Sequence, residues 1–469
     1  MIEINFILNN ELVSLEINPA EVLLDFIRKR RHLTGTKEGC KEGDCGACAV
    51  LIGTLNGNNV EYKSFNSCLF PIGNANNKHI VTIEGINSEQ FTPIQENFID
   101  AGASQCGFCT PGFIVSLTGY IINCTNYNYL DAVNAIAGNI CRCTGYTSIK
   151  NVLKYLGKNT DIINTVNKIS QLIKLNFLPE YFSEIPSRLR EIEIIKSNET
   201  DTKTNKIISG GTDLFVQQPD ELLETENYLI SDRNLSFINI LDNICTVGAT
   251  TTFEMIKESK AFKDHFPRLD HYMDLIASLP IRNSATIGGN FVNASPIGDT
   301  TIFFLALNST LNLVNGKSKR RILLKDLYKG YKNLDLKAGE YVESLEFKLP
   351  GENSYFNFEK VSKRSYLDIA STNSAINLEV KNNIIHEAHI SAGGIAPIPL
   401  YLMGTSEFLT NKKIEPGLVE EAAQIIQGEI SPISDIRGSA EYKRILIKQL
   451  FKAHFIELFP ELIKMEELV

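Results

Sequence analysis

Ten cysteines occur in this chain of 469 residues. All but Cys245 precede residue 150, and eight of them fall into two sets. The first lies in Gly39-Cys40-Lys41-Glu42-Gly43-Asp44-Cys45-Gly46-Ala47-Cys48, with Cys68 following. This is the C-x4-C-x2-C…C spacing of a plant-type [2Fe-2S] site. Three thiolates on one loop require a tight backbone wrap, which Gly39, Gly43 and Gly46 permit while bringing amides near the bridging sulfides. Zinc sites favour two short C-x2–4-C knuckles instead.

The second set is Gln105-Cys106-Gly107-Phe108-Cys109 with Cys141-Arg142-Cys143. Thr110 is the expected cap and Pro111 the first residue of an apolar helix, Phe113 to Ile122. Cys106 and Cys109 would then sit at the positive end of that helix, which favours thiolate. A second helix is expected from about Asp131 to Gly138 and a third from about Ser148. A C-x-C pair is too strained for a disulfide but suits two sulfurs on one metal. Arg142 would offset cluster charge. Spacing alone leaves both a cluster and a zinc site on a helical bundle open. Cys124 and Cys245 match neither set and read as small buried hydrophobes.

The elements that position these ligands are legible in the pattern. Ile2, Ile4, Phe6 and Leu8 alternate as a strand, Asn9-Asn10 supplies a turn, and Leu12 to Ile17 returns. Asn18-Pro19-Ala20-Glu21 reads as a capped helix start, and Leu23, Leu24, Phe26 and Ile27 give the helix an apolar side. Two strands, a helix and a Gly/Cys loop point to a ferredoxin-like half-barrel. The chain's length suits about three domains of ~150 residues. A net charge of −9 argues against nucleic acid or an anionic membrane as main partner. Without a basic n-region or an apolar run of roughly 18 residues, the chain reads as a soluble cytoplasmic protein.

Further on, residues 157–185 read as a linker with a short amphipathic helix at Ile162 to Ile173. Ile207-Ile208-Ser209-Gly210-Gly211-Thr212-Asp213-Leu214 is then a strand running into a glycine turn, whose consecutive amides can form an anion nest. A second glycine-rich stretch, Arg282 to Asn290 and on to Asp299, can close on the same dinucleotide, although Asp299 also suits a helix cap. No G-x-G-x-x-G or Walker motif is present, so neither of those nucleotide sites is supported.

The segments GTKEGCKEGDCGACAV, QCGFCTPG and GNICRCTGY resemble the iron–sulfur half of the xanthine dehydrogenase/aldehyde oxidase family of molybdenum hydroxylases. IISGGTDL and IRNSATIGGNFVNASPIGD resemble that family's FAD domain, and SAGGIAPIP with SDIRGSAEYKR its small C-terminal domain. The resemblance implies a multidomain α+β chain with a β-grasp ferredoxin-like [2Fe-2S] domain (1–86) and a helical-bundle [2Fe-2S] domain (87–156). After the linker come a vanillyl-alcohol-oxidase-type FAD domain (186–355) and a small α+β flavoprotein domain (356–469). It implies that Cys40, Cys45, Cys48 and Cys68 hold the flavin-side cluster. Cys106, Cys109, Cys141 and Cys143 would hold the molybdenum-side cluster, with Gln105 contacting a molybdopterin carried by the partner. Ile207 to Leu214 would wrap the FAD pyrophosphate, with Ile276, Thr286, Asp299 and Lys360 at further flavin positions. A solvated surface lysine is the plain alternative for Lys360.

The end at Val469 leaves no space for molybdopterin domains. The implied protein is the small subunit of a bacterial-type enzyme, in a heterotetramer of two small and two large subunits. A purine would be oxidised on the partner, and electrons would pass through both clusters and FAD to NAD+. No catalytic acid or base is expected on this chain. The alternatives are the same role in an aldehyde or N-heterocycle hydroxylase, a stand-alone NADH:acceptor flavo-iron–sulfur reductase, and a zinc-bound assembly scaffold.

Overall fold

The protein was analysed as a computed structural model, which describes residues 1–158, 167–192, 206–225, 227–229, 234–364 and 366–468. It divides into two compact units. The first comprises Met1–Asp232 with Ser278–Ala285, and the second Arg233–Ala277 with Thr286–Val469.

The first unit opens on a five-stranded sheet of β1 (Ile2–Leu8), β2 (Glu11–Ile17), β3 (Ala49–Asn56), β4 (Asn59–Asn66) and β5 (His79–Val81). Their order is β2-β1-β5-β3-β4, with β1 and β5 parallel. Leu8 pairs with Glu11, so Asn9-Asn10 is a two-residue hairpin turn, and Asn9 takes the positive φ of 54° that such turns need. Ile4, Phe6 and Leu8 alternate inward onto Ile17, Phe26, Ile27, Ile72 and Ile80.

The helix expected from Pro19 begins later, at Leu23. Val22 is held extended by a bridge to Pro71, and the Leu23 amide bonds to Phe70 O at 2.9 Å. Asn18 caps no helix; its Oδ1 accepts from the Ala20 amide at 3.0 Å as a local turn. The apolar side is nonetheless as read, with Leu23, Leu24, Phe26 and Ile27 all buried.

A helical bundle follows, built from Pro93–Asp100, Thr110–Asn123, Tyr129–Ala135 and Thr147–Lys158 around Phe98, Phe113, Leu117, Ile121, Val152 and Leu156. Thr92 and Gln95 form a reciprocal capping box on the first of these helices. The start of the expected Ile162 helix lies outside the described residues, and a helix is present at Lys168–Lys174. Strand Lys206–Ile208 pairs in parallel with Asn227–Leu229.

The second unit contains two larger sheets and a two-stranded one, Tyr328–Gly330 with Asn333–Leu334. In the five-stranded antiparallel one, Ile244–Gly248 and Thr310–Asn315 flank Tyr341–Lys348, with Ile238–Leu241 and Ser318–Leu323 at the edges. A cluster of rings is packed with it: Phe262, Phe304 and Phe347 interlock with centroids 5.7–6.3 Å apart. The four-stranded sheet, from Ser354–Val361 to Leu400–Tyr401, shares a core with the Pro416–Glu429 and Ala440–Leu458 helices through Ile376, Ile390, Val419, Ile426, Ile447 and Phe451. Among the described residues, no helix is long and apolar enough to cross a membrane.

Candidate functional site

The first cysteine loop leads into β3, and Cys68 follows β4, so sheet pairing brings the two ends together. Cys48 and Cys68 are buried with their sulfurs 3.4 Å apart. Asn66 braces the loop by donating from Nδ2 to Gly43 O at 2.8 Å. Cys40 and Cys45 form the other pair. The bond from Cys45, then the amides of Glu42, Cys45 and Asp44, lowers the Cys40 thiol to about 5, while Cys45 is pushed up. Cys48 is likewise lowered by its bond from Cys68, which is raised. In each pair the two sulfurs thus share one hydrogen bond.

The second set also pairs. Cys106 and Cys143 are exposed, with sulfurs 3.6 Å apart. Cys109 is hydrogen-bonded to Cys141. Burial raises the Cys141 thiol, but the Thr144 hydroxyl at 3.1 Å and amide at 3.5 Å outweigh it, and the net shift is downward. Cys109 goes the other way, to about 12, through burial and then Cys141. The expected capping is corrected accordingly. Cys109 occupies the N-cap, Thr110 is the first helical residue, and the Thr110 hydroxyl bonds to Ser104 at 2.9 Å. The neutral form of Cys109 is favoured first by burial and then by its bond to Cys141. Gln105 and Arg142 are exposed beside this set.

Two pairs per set is the arrangement a two-iron cluster asks for, with two thiolates on each iron. A single tetrahedral ion needs four ligands around one point. Among the described residues no three His, Cys, Asp or Glu side chains gather in that way. The paired donor sets fit [2Fe-2S] clusters, two sulfurs to each iron.

The two loops are bonded to one another. The Ile140 amide, one residue before Cys141, donates to Cys45 O at 2.9 Å. Buried Asn139 donates to Gly46 O at 3.0 Å and accepts from Ser116 at 2.9 Å. Sequence reasoning passed over Asn139; its only signal was its place in GNICRC.

In the glycine turn, Gly211 has φ +75°, and the Phe215 amide closes back on Gly211 O at 3.0 Å. A Cβ on Gly210 would lie 1.8 Å from Ser284 O. The turn therefore rests its bare backbone on the Leu279–Ser284 helix, too close for a side chain at Gly210.

In the second unit Thr286 caps the Ile287–Asn293 helix, its Oγ1 accepting from Gly289 N at 3.2 Å. Asp299 is not a cap: Gly298 takes that position, and Asp299 opens the Asp299–Ala306 helix. Its carboxylate accepts from Lys360 Nζ at 2.7 Å and Asn373 Nδ2 at 2.5 Å. Nor is Lys360 a solvated surface lysine, since its side chain is 1% exposed and also bonds Leu275 O at 2.7 Å, next to buried Ile276. Asn373 carried no sequence signal.

By fold and by motif, the chain combines iron–sulfur and flavin-binding domains. A 2Fe-2S iron-sulfur cluster binding domain matches residues 6–72 and a [2Fe-2S] binding domain residues 82–154. The FAD binding domain in molybdopterin dehydrogenase matches residues 179–350, and the CO dehydrogenase flavoprotein C-terminal domain residues 357–458. Together these four domains mark the xanthine dehydrogenase/aldehyde oxidase/CO dehydrogenase family of molybdenum hydroxylases.

Among curated relatives, xanthine dehydrogenase 1 of Arabidopsis thaliana is 26% identical over 92% of this chain and 38% of its own length. Aldehyde oxidase 1 of Bos taurus is 27% identical over 97% of this chain and 39% of its own. The chain thus spans about two fifths of these relatives. Among solved structures, quinoline 2-oxidoreductase from Pseudomonas putida 86 aligns at 23% identity and TM-score 0.50, over 55% of this chain and 90% of that one. The carbon monoxide dehydrogenase from Hydrogenophaga pseudoflava aligns at 21% and TM-score 0.51, over 55% of this chain and 91% of that one. These likenesses concern the fold.

Proposed function

We propose that this chain is the iron–sulfur and flavin part of a xanthine-dehydrogenase-type enzyme, passing electrons from a molybdopterin-bearing large subunit to FAD and then NAD+. The observation that carries the reading is the two-by-two pairing of all eight cysteines, on loops bonded through Ile140 and Cys45. Bound clusters supply one-electron steps, and a bound flavin converts them to a two-electron exchange.

The protein's own residues do the positioning. Cys40, Cys45, Cys48 and Cys68 hold one cluster against the sheet. Cys106, Cys109, Cys141 and Cys143 hold the other at the surface, where exposed Gln105 faces the partner. Ile207 to Leu214 receive the pyrophosphate, and Ile276, Thr286, Asp299 and Lys360 serve the flavin. The subunits assemble as two small and two large, in the cytoplasm.

The test is purification with the neighbouring large subunit. About four irons and one flavin per chain are expected, with xanthine bleaching both chromophores anaerobically and NAD+ restoring them. A colourless zinc protein would refute the reading. A second reading, the same role for an N-heterocycle or aldehyde, is favoured on the aldehyde side by the likeness to aldehyde oxidase 1. Bleaching by quinoline or an aldehyde but not xanthine would select it. NADH oxidation by a chain that captures no molybdenum partner would mark a stand-alone reductase.

A further inference from the structure

The Leu279–Ser284 helix belongs to the first unit, although the residues before and after it in sequence belong to the second. It touches both the first cysteine loop and the glycine turn. A Cβ on Gly43 would lie 2.6 Å from Ile281 Cδ1 and 2.7 Å from Leu69 Cδ1. Ile281 packs into an apolar cluster with Cys48, Cys68, Leu69, Ile208 and Phe215. Buried Asn283 donates to Ser64 O on β4 at 2.9 Å, which fixes the helix against the strand leading to Cys68. At the helix end, Ser284 O meets Gly210, and a Cβ on Gly211 would lie 3.3 Å from Leu69 O. One helix and one apolar cluster therefore support the Cys48/Cys68 pair and the turn assigned to the FAD pyrophosphate.

We propose that Ile281 and Asn283 are positioning residues that couple the two sites, so that filling the glycine turn tightens the hold on the first cluster and the reverse. The proposal rests on the cluster and flavin assignments given above. Close-packed interiors transmit small displacements, and coupling between two sites is reciprocal in binding free energy. The bundle-borne set Cys106, Cys109, Cys141 and Cys143 has no member in this apolar cluster. The same helix reaches Gly138, three residues before Cys141, through Pro280 and not through that apolar cluster, so the coupling falls mainly on the first cluster.

The experiment uses the full chain in complex with its large subunit. Flavin is stripped with concentrated bromide, and loss of each cluster to a chelator is followed through its own electron paramagnetic resonance signal. Removing FAD is expected to speed loss of the first cluster ~10-fold, a usual scale for coupled sites, and to change the second much less. Ile281→Ala is expected to weaken FAD binding, read by fluorescence quenching, and to abolish that selective protection. Ile281→Val is expected to restore both. Equal first-cluster lifetimes with and without FAD would overturn the proposal, as would parallel acceleration of both clusters. Wild-type complex carrying neither iron nor flavin would refute the underlying assignments instead.

Discussion

Lys360 Nζ lies 2.7 Å from Asp299 Oδ2 in a pair whose lysine side chain is 1% exposed. The two residues are far apart in sequence and meet because a strand of one sheet passes the start of a helix. Removing one partner from such a pair leaves an uncompensated buried charge, typically costing ~3–5 kcal/mol. Lys360→Met is expected to lower the melting temperature sharply. The double variant Lys360→Met/Asp299→Asn should recover most of the loss. A double-mutant cycle with strictly additive losses would contradict this.

The Gly210 cradle makes a second prediction. Gly210→Ala places a methyl 1.8 Å from Ser284 O, so the turn must move off its support. Overpacking of this kind costs ~1–3 kcal/mol. FAD affinity should fall ~10-fold or more, measured by retained flavin absorbance, while the irons of the second cluster are retained. Normal flavin retention would show that the turn does not carry the pyrophosphate.

The two cysteine sets should differ in lability. Cys48 and Cys68 are 1% and 5% exposed, whereas Cys106 and Cys143 lie at the surface. A chelator should therefore remove the second cluster first. Cys143→Ser should leave about two of four irons with the chain still folded, by iron assay and circular dichroism. Loss of all iron in that variant would mean that one metal array, not two, is present.

Acid should destabilise both units through buried neutral histidines. His79 accepts from the Tyr62 hydroxyl at 2.7 Å and donates to Asn9 O at 2.8 Å. His454 lies between Asn357 and Ser374 at 3.0 and 3.1 Å. Burial above all lowers both from 6.5 to about 3. Between those values the unfolded chain binds protons that the native chain does not, so stability rises with pH. It is complete above 6.5 and is lost progressively as pH falls toward 3, at up to ~1.4 kcal/mol per pH unit for each histidine. Melting temperatures measured from pH 7.5 to 5 should drop, and His454→Gln should flatten part of that slope. A flat profile would refute the account.

Local chemistry was legible where it depends on neighbours in the chain. The C-x4-C-x2-C spacing, the Asn9-Asn10 turn and the buried side of Leu23, Leu24, Phe26 and Ile27 are read within a few residues, because backbone geometry links them directly. The start of that same helix was misread because Val22 is captured by Pro71, far along the chain. Thr110 was misread as a cap because Ser104 takes its hydroxyl. Lys360 was open to either reading because periodicity is silent on which strand passes which helix.

Eight cysteines form two groups in the sequence, and sequence alone determined their identity and grouping. It left zinc open for the second group, since spacing reports reach along one loop and says nothing of how sulfurs from separate loops divide around a metal. Tertiary structure decided which sulfurs lie side by side, Cys40 with Cys45, Cys48 with Cys68, Cys106 with Cys143 and Cys109 with Cys141. It also decided the bond from Ile140 to Cys45 that ties the loops together, and the seat of Ile281 beside Cys48 and Cys68. Both depend on strands and helices distant in sequence closing on the same few ångströms, a long-range packing outcome that no local pattern encodes.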